Sequence, residues 1–354
     1  MSRDGPSRAE AHVPQNAGRD GSTEPEWPET RRASKVRDMP LWSRADGTLA
    51  QDVPAYRQIM PFLMRGKNES AAYFEQEIMV DGAQAFIEAW NARSSRKISF
   101  FHLYTWAVAQ TMAARPRLNR FVAGSRIYDR KGIWVSYSAK KKMNDDSPVV
   151  VRKCCVDPST PFPELVDQLQ ADVSEGKSAQ RSHVDKELSL VLALPGLFVR
   201  MLMVLQAWLD SWSLLPHALT HKDPLFSSIF IANLGSLKLD AVHHHLYEYG
   251  NIPIFACIGR RRRAVVASDS GEITTPLVCV VKYTYDERVE DGLYCAAALD
   301  HLRRLVEDPL AAGLSLPGSA EAPGGSADAP SGSADETSRQ GAIRRQAHAA
   351  SAAN

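Results

Sequence analysis

Aliphatic and aromatic side chains are confined almost wholly to one stretch of the chain, and this sets what the chain can fold into. Residues 1–38 are rich in Pro, Gly, Ser, Glu and Arg and nearly free of aliphatic side chains. Residues 312–354 are a repetitive mixture of Ala, Gly, Ser, Pro and Asp. Neither stretch can bury enough apolar surface to offset about 1–2 kcal/mol per residue of backbone ordering. Both are expected to be disordered tails. Residues 39–311 then form one domain of ordinary size.

Charge and cysteine usage narrow the class. The 354 residues carry 42 Lys+Arg against 41 Asp+Glu, a net charge of +1. That balance excludes a strongly basic nucleic-acid binder and an acidic solvating protein. Five Cys is an odd number, and Cys154 and Cys155 are neighbours, so a disulfide framework is not expected. A reducing, cytoplasmic compartment is the simpler expectation. No apolar run follows Met1 to Gly5, so no secretory signal is visible there.

Strand and helix periodicities alternate inside the domain. Residues 72–80 read as a strand and 84–92 as a helix. From Ser99 to Ala114, apolar residues recur at Phe100, Leu103, Tyr104, Ala107, Val108 and Met112, the face of a buried helix that Pro116 ends. Runs at 121–128 and 133–137 read as strands joined by the hairpin signal Asp129-Arg130-Lys131-Gly132. A further strand is expected at 148–151. Thr160 and Pro161 read as the cap and first turn of a helix to Ala171. Late strands are expected at 228–232, 254–258, 264–267 and 277–285, with a turn at Asp269-Ser270-Gly271. A last helix spans about 290–306. This order, without a regular βαβ rhythm, predicts an α/β sandwich with a mixed sheet.

Two segments are more specific than periodicity. The first is Ser228-Ile229-Phe230-Ile231-Ala232-Asn233-Leu234-Gly235-Ser236. The second is Tyr285-Asp286-Glu287-Arg288-Val289-Glu290-Asp291-Gly292, followed by a helix closing on Val306-Glu307-Asp308-Pro309. Together with Pro116-Arg117-Leu118-Asn119, they resemble the catalytic core of the dihydrolipoamide acyltransferases of 2-oxo acid dehydrogenase complexes. Those read F-T-I-[ST]-N-L-G, then D-H-R-x-x-D-G, then L-E-D-P. The resemblance spans about residues 60–311 and implies a two-layer chloramphenicol-acetyltransferase-like sandwich and a homotrimer. It also implies transfer of an acyl group between thiols, with coenzyme A or acyl-CoA as substrate. In that chemistry a His removes the thiol proton. A Ser or Thr of the neighbouring subunit donates to the tetrahedral oxyanion.

The chain departs from the pattern at both reacting positions. Glu287 stands where the family has His, and Ala232 where it has Ser or Thr; Asp291, Asn233, Arg288 and Asp286 remain. An ordinary glutamate (pKa about 4.3) faces about four units, roughly 5–6 kcal/mol, in taking a proton from a thiol near 8.5. Burial of the carboxylate narrows that gap. Losing one oxyanion donor costs about 10²–10³ in rate. Two functions follow. One is a stand-alone acyltransferase-like protein with Glu287 as a non-standard base, supported by Asp291 and Asn233. The other is an inactive trimeric scaffold or binding protein, like the binding-protein component of some pyruvate dehydrogenase complexes. No lipoyl domain is recognisable, and the N-terminal tail leaves no room for a subunit-binding domain.

Other features carry weaker signals. Arg260 and Arg261 open a four-Arg run suited to coenzyme A phosphates, although a solvated hairpin flank is the commoner role. The run Lys140-Lys141-Lys142 is weighed the same way. Neither has the aromatic interleaving of a nucleic-acid surface. His243, His244 and His245 invite a metal, but adjacent residues diverge on a helix or strand, so no metal site is expected. His102 reads as a satisfied core histidine, and Cys154 and Cys155 as inert thiols. Residues 188–222 form an apolar insertion in which Leu188 to Leu215 approaches the roughly 20 residues of a bilayer span. A single crossing would split one domain across a membrane. Burial against a partner, or a peripheral membrane contact, is the better expectation.

Overall fold

The computed structural model describes residues 44–140, 149–177, 193–268 and 270–318. The tail read at 1–38, the tail beyond 318, Lys141, Lys142, Pro148, 188–192 and Asp269 lie outside them. A six-stranded mixed sheet organises the domain. With strands numbered along the chain, its order is β2 (Ala71–Met79), β11 (Leu277–Asp286), β8 (Ile254–Arg263), β7 (Ile229–Asn233), β5 (Trp134–Lys140) and β6 (Val149–Cys155). β7 runs parallel to both β8 and β5, and the remaining neighbours are antiparallel.

Period-two alternation sorts the strands' side chains between two faces. Ile78, Ile229, Ile231, Ala256, Ile258, Cys279, Val281 and Tyr283 point to one face. There they pack against helices α2 (Asp81–Arg93), α3 (Phe100–Ala114), α4 (Phe162–Lys177) and α7 (Gly292–Glu307). Phe230, Ala232, Phe255 and Cys257 point to the other face, where Ala241, Leu246 and Ile252 of the β7–β8 connection cover them. This is the two-layer α/β sandwich with a mixed sheet that the alternation predicts.

α3 runs through the centre of the helical layer. Leu103, Tyr104 and Ala107 are fully buried along it. Ser99 caps its start, and the His102 ring Nδ1 accepts from the Ser99 N–H at 2.9 Å. His102 is therefore satisfied, as expected, but as a half-buried cap on the first turn.

The hairpin read at Asp129 to Gly132 lies elsewhere. The chain reverses at Gly124 and Ser125, both with positive φ (52° and 58°), inside the run that reads as one strand. Such a two-residue turn matches the natural twist of paired strands. β3 (Arg120–Ala123) and β4 (Arg126–Arg130) pair there and form a small sheet with β1 (Gly47–Leu49). Gly132 also has positive φ (74°), but its bend carries the chain from the small sheet to the large one. A Cβ on Gly124 would overlap the Ser211 carbonyl, so the reversal also seats the segment described next.

Three further boundaries shift. α4 begins at Phe162 and reaches Lys177, with the Pro161 carbonyl, not Thr160, accepting from the first turn. β9 (Val266–Ala267) and β10 (Ile273–Thr274) pair across the turn read at 269–271. The packed chain also extends past 311, because Ala312, Leu314 and Leu316 lie against the core. The described part of the apolar insertion folds into α5 (Gly196–Ser211) and α6 (His217–Lys222), which complete the helices together with α1 (Ala55–Leu63). α5 buries none of its residues in this chain. No helix of the described residues is long and apolar enough to cross a membrane.

Burial holds the His102 pKa down to about 4. The unfolded chain then binds a proton that the folded chain refuses, so stability falls as pH drops from about 6.5 to about 4. His102→Gln, which keeps an acceptor, should flatten that limb in urea titrations at stepped pH. An unchanged acid limb would remove His102 from the account.

Candidate functional site

The loop after β11 is rigidly built. Asp286 is buried and accepts from Arg288 Nε at 2.8 Å and Nη2 at 2.7 Å, and from Ser70 Oγ at 2.9 Å. Arg288 also donates to the Met64 and Arg65 carbonyls at 3.1 and 3.0 Å. The pair thus ties the chain entering β2 to the chain leaving β11. Glu287, between the two, is held by its backbone. Its N–H donates to the Ser70 carbonyl (2.9 Å), and its carbonyl accepts from Arg57 Nη1 (2.9 Å). Its side chain is exposed.

Asp291 is the N-cap of α7 and accepts from the Tyr294 N–H at 2.8 Å; this bond holds its carboxyl below the usual range. Asn233 caps a 3₁₀ turn at Leu234–Leu237, accepting from the Ser236 N–H. Ala232 is 8% exposed in the apolar layer beneath the β7–β8 connection and offers no donor. Asp291 and Asn233 therefore serve the local fold through their side chains.

Register separates these residues into two groups. Ala232 is level with Cys257 and Lys282 across the sheet, whereas Glu287 lies five residues beyond Lys282. At about 3.3 Å per residue that is about 17 Å along the strands. Glu287 and Asp291 share one end of the sheet. Asn233, Arg260 and Arg261 share the other. Within one chain the two reacting positions do not meet.

The arginine run has partners of its own. Arg260 is bidentate to Asp240 (2.7 and 3.3 Å), and Arg261 donates to Gln84 Oε1 (2.5 Å). Arg262 pairs with Glu77 and Arg263 with Asp81. All four are exposed, which is the arrangement of a solvated flank. Among the three His, His244 stacks between His245 and Phe255 at centroid distances of 4.4 and 3.9 Å, and His243 meets Tyr73 edge-on. Among the described residues, no group of three or more His, Cys, Asp or Glu is arranged to hold a metal ion. Burial pushes the Cys154 thiol up to about 12, which keeps it inert near neutral pH.

Two charged groups escaped sequence reasoning. Glu290 is buried, with Arg117, Arg57 and Arg120 at 3.2, 3.7 and 3.8 Å. Its neighbours in the motif were visible, but partners from α1 and β3 were not. Lys67 is buried too, and donates to the carbonyls of Tyr247 (2.8 Å), Glu248 (3.2 Å) and Gly250 (2.5 Å). Burial draws its pKa down to about 8. Lys67 and Arg288 border a cleft of about 310 Å³ whose opposite wall is α5, through Gln206 and Asp210.

Several solved structures share this architecture. A probable dihydrolipoamide acetyltransferase from Listeria monocytogenes superposes with a TM-score of 0.52 at 13% identity, over 75% of this chain and 96% of that one. The fold is the dihydrolipoamide acetyltransferase core fold. The dihydrolipoamide acetyltransferase of Azotobacter vinelandii gives a TM-score of 0.48 at 16% identity, over 75% and 94% of the two chains. A chloramphenicol acetyltransferase gives 0.43 at 12% identity, over 72% and 95%. No family model matches the chain, and no curated protein matches it. At these identities the likeness to the acetyltransferase core is one of fold.

Removing one partner of a buried ion pair costs about 3–5 kcal/mol. Arg288→Met should therefore lower the unfolding free energy by about that amount in urea titrations. A loss under about 1 kcal/mol would mean that the pair does not hold the loop.

Proposed function

We propose that this chain is a stand-alone acyltransferase-fold protein that works as a binding and assembly unit, without the histidine-dependent thioester transfer of the family it resembles. One observation carries this reading. The Asp286–Arg288 lock, the Asp291 cap and the strand ends are intact around two positions that hold an exposed carboxylate and a methyl group. The frame is built and the reacting groups are missing.

A homotrimer is part of the proposal. Glu287 lies beyond one end of the sheet and Ala232 about 17 Å away along the strands, so a shared site needs a second copy to bring them together. Exposed apolar side chains surround the Glu287 end: Leu293 is 83% exposed beside Asp291, and Tyr56, Phe62 and Leu63 stand out from α1. α1 touches the Glu287 loop through Arg57. A patch of this kind supports burial against a neighbouring protein surface.

Residual acyl transfer is the second reading, favoured by the exposed position of Glu287 beyond the end of β11. In that case acyl-CoA is the donor. Arg260 and Arg261 would meet its phosphates after exchanging Asp240 and Gln84, and Glu287 would take the thiol proton, with Asp291 and Asn233 supporting the loop and strand end.

Restoring the two reacting groups tests the proposal. Glu287→His combined with Ala232→Ser should raise thiol-dependent release of coenzyme A from acetyl-CoA at least about 10²-fold over wild type. The protein should sediment as a trimer in both forms. A double variant that sediments as a trimer and gains nothing would mean that the site is not a disabled transferase. A monomer would remove the assembly role.

A further inference from the structure

The helix α5 presents apolar side chains away from the body that carries it. Two polar side chains tie it to that body. Gln206 donates to Tyr249 Oη at 2.6 Å, and Asp210 accepts from the buried Arg44 guanidinium at 2.7 Å. Its outward side is apolar: Leu197 is 68% and Val204 70% exposed, and Phe198, Met201, Leu205 and Trp208 stand out with them. At about 100° per residue, Leu202 and these six side chains cover an arc of about 160° that leaves out Gln206 and Asp210. A helix on a water-facing surface is arranged the other way round. The medium outside α5 is therefore one that accepts hydrocarbon and offers few hydrogen bonds.

Charge identifies that medium. Between 193 and 222, Asp210 is the one carboxylate, and it is turned inward to Arg44. The strong cations of this stretch are Arg200 and Lys222, both exposed. Arg200 sits at the margin of the apolar arc, where a long cationic side chain lies along the hydrocarbon and reaches anionic headgroups. Trp208 and Trp212 stand together near the C-terminal end of α5, with Leu214 and Leu219 exposed beyond them. Tryptophan is enriched at the level of the headgroups. Protein interfaces instead ring an apolar centre with a polar rim, and this stretch presents no outward carboxylate. At 16 residues, or about 24 Å, α5 is too short to cross a bilayer. Its geometry is that of a helix lying in the surface plane.

We propose that α5 and the turn after it bind the surface of an anionic phospholipid bilayer, with the apolar arc in the acyl boundary and Arg200 at the phosphates. The Arg44–Asp210 and Gln206–Tyr249 contacts fix the helix to the domain, so the domain, including the cleft lined by Lys67 and Arg288, is held at the membrane surface. This inference does not depend on whether acyl transfer survives.

Flotation of the full chain tests it, with vesicles of phosphatidylcholine alone and vesicles containing one quarter phosphatidylglycerol. Wild type should float with the anionic vesicles. Val204→Glu combined with Leu205→Glu alters only exposed side chains and should cut the bound fraction at least tenfold with an unchanged circular dichroism spectrum. Arg200→Glu should weaken binding severalfold on the anionic vesicles and leave any binding to neutral vesicles unchanged. A wild-type chain that stays at the bottom with both vesicle types would overturn the proposal, as would a double glutamate variant that floats as well as wild type. Absent flotation, together with a smaller sedimenting species for the double variant, would assign the arc to a second copy of the chain.

Discussion

The buried Asp286–Arg288 pair is the interaction on which the candidate site depends. It joins the last residue of β11 to the carbonyls of Met64 and Arg65, while Ser70 completes the carboxylate's shell. A buried guanidinium without its carboxylate would be severely penalised, so the loop has one low-energy course. That course places Glu287 outward, tethered at both backbone groups. The frame is indifferent to the side chain at 287, which allows the fold to stand while the base of the resembled family is absent.

A second constraint acts on the insertion. α5 leaves the domain with its apolar side outward because the body offers it polar partners: Arg44, Tyr249 and the close approach at Gly124. The body fixes the helix without covering it. The cleft between α5 and the Lys67–Arg288 wall follows from that arrangement.

Much of this was legible in the residues. Strong periodicity placed α3 and the long strands, because a buried helix and a two-faced strand impose spacing on the side chains directly. The motif segments placed the β11 loop and the β7 end. The hairpin falls elsewhere because Asp129-Arg130-Lys131-Gly132 and Gly124-Ser125 each offer two turn-forming residues, and local composition does not reveal that β4 belongs to a separate sheet. The roles of Asp291 and Asn233 as caps, the partners of Arg260 and Arg261, and the burial of Lys67 and Glu290 depend on contacts between distant segments. No spacing rule encodes those. The apolar character of 193–215 was plain in the sequence, but its direction was not, since exposure of an apolar helix is a property of the assembled domain.

In the function proposed, the frame of the acyltransferase site survives without its chemistry. The most direct measurement is thiol-dependent turnover of several acyl-CoAs by wild type and by Glu287→Gln, at equal oligomeric state. Both should stay at the rate without protein. Wild-type turnover above that rate, lost in Glu287→Gln, would contradict the proposed function and make Glu287 a working base.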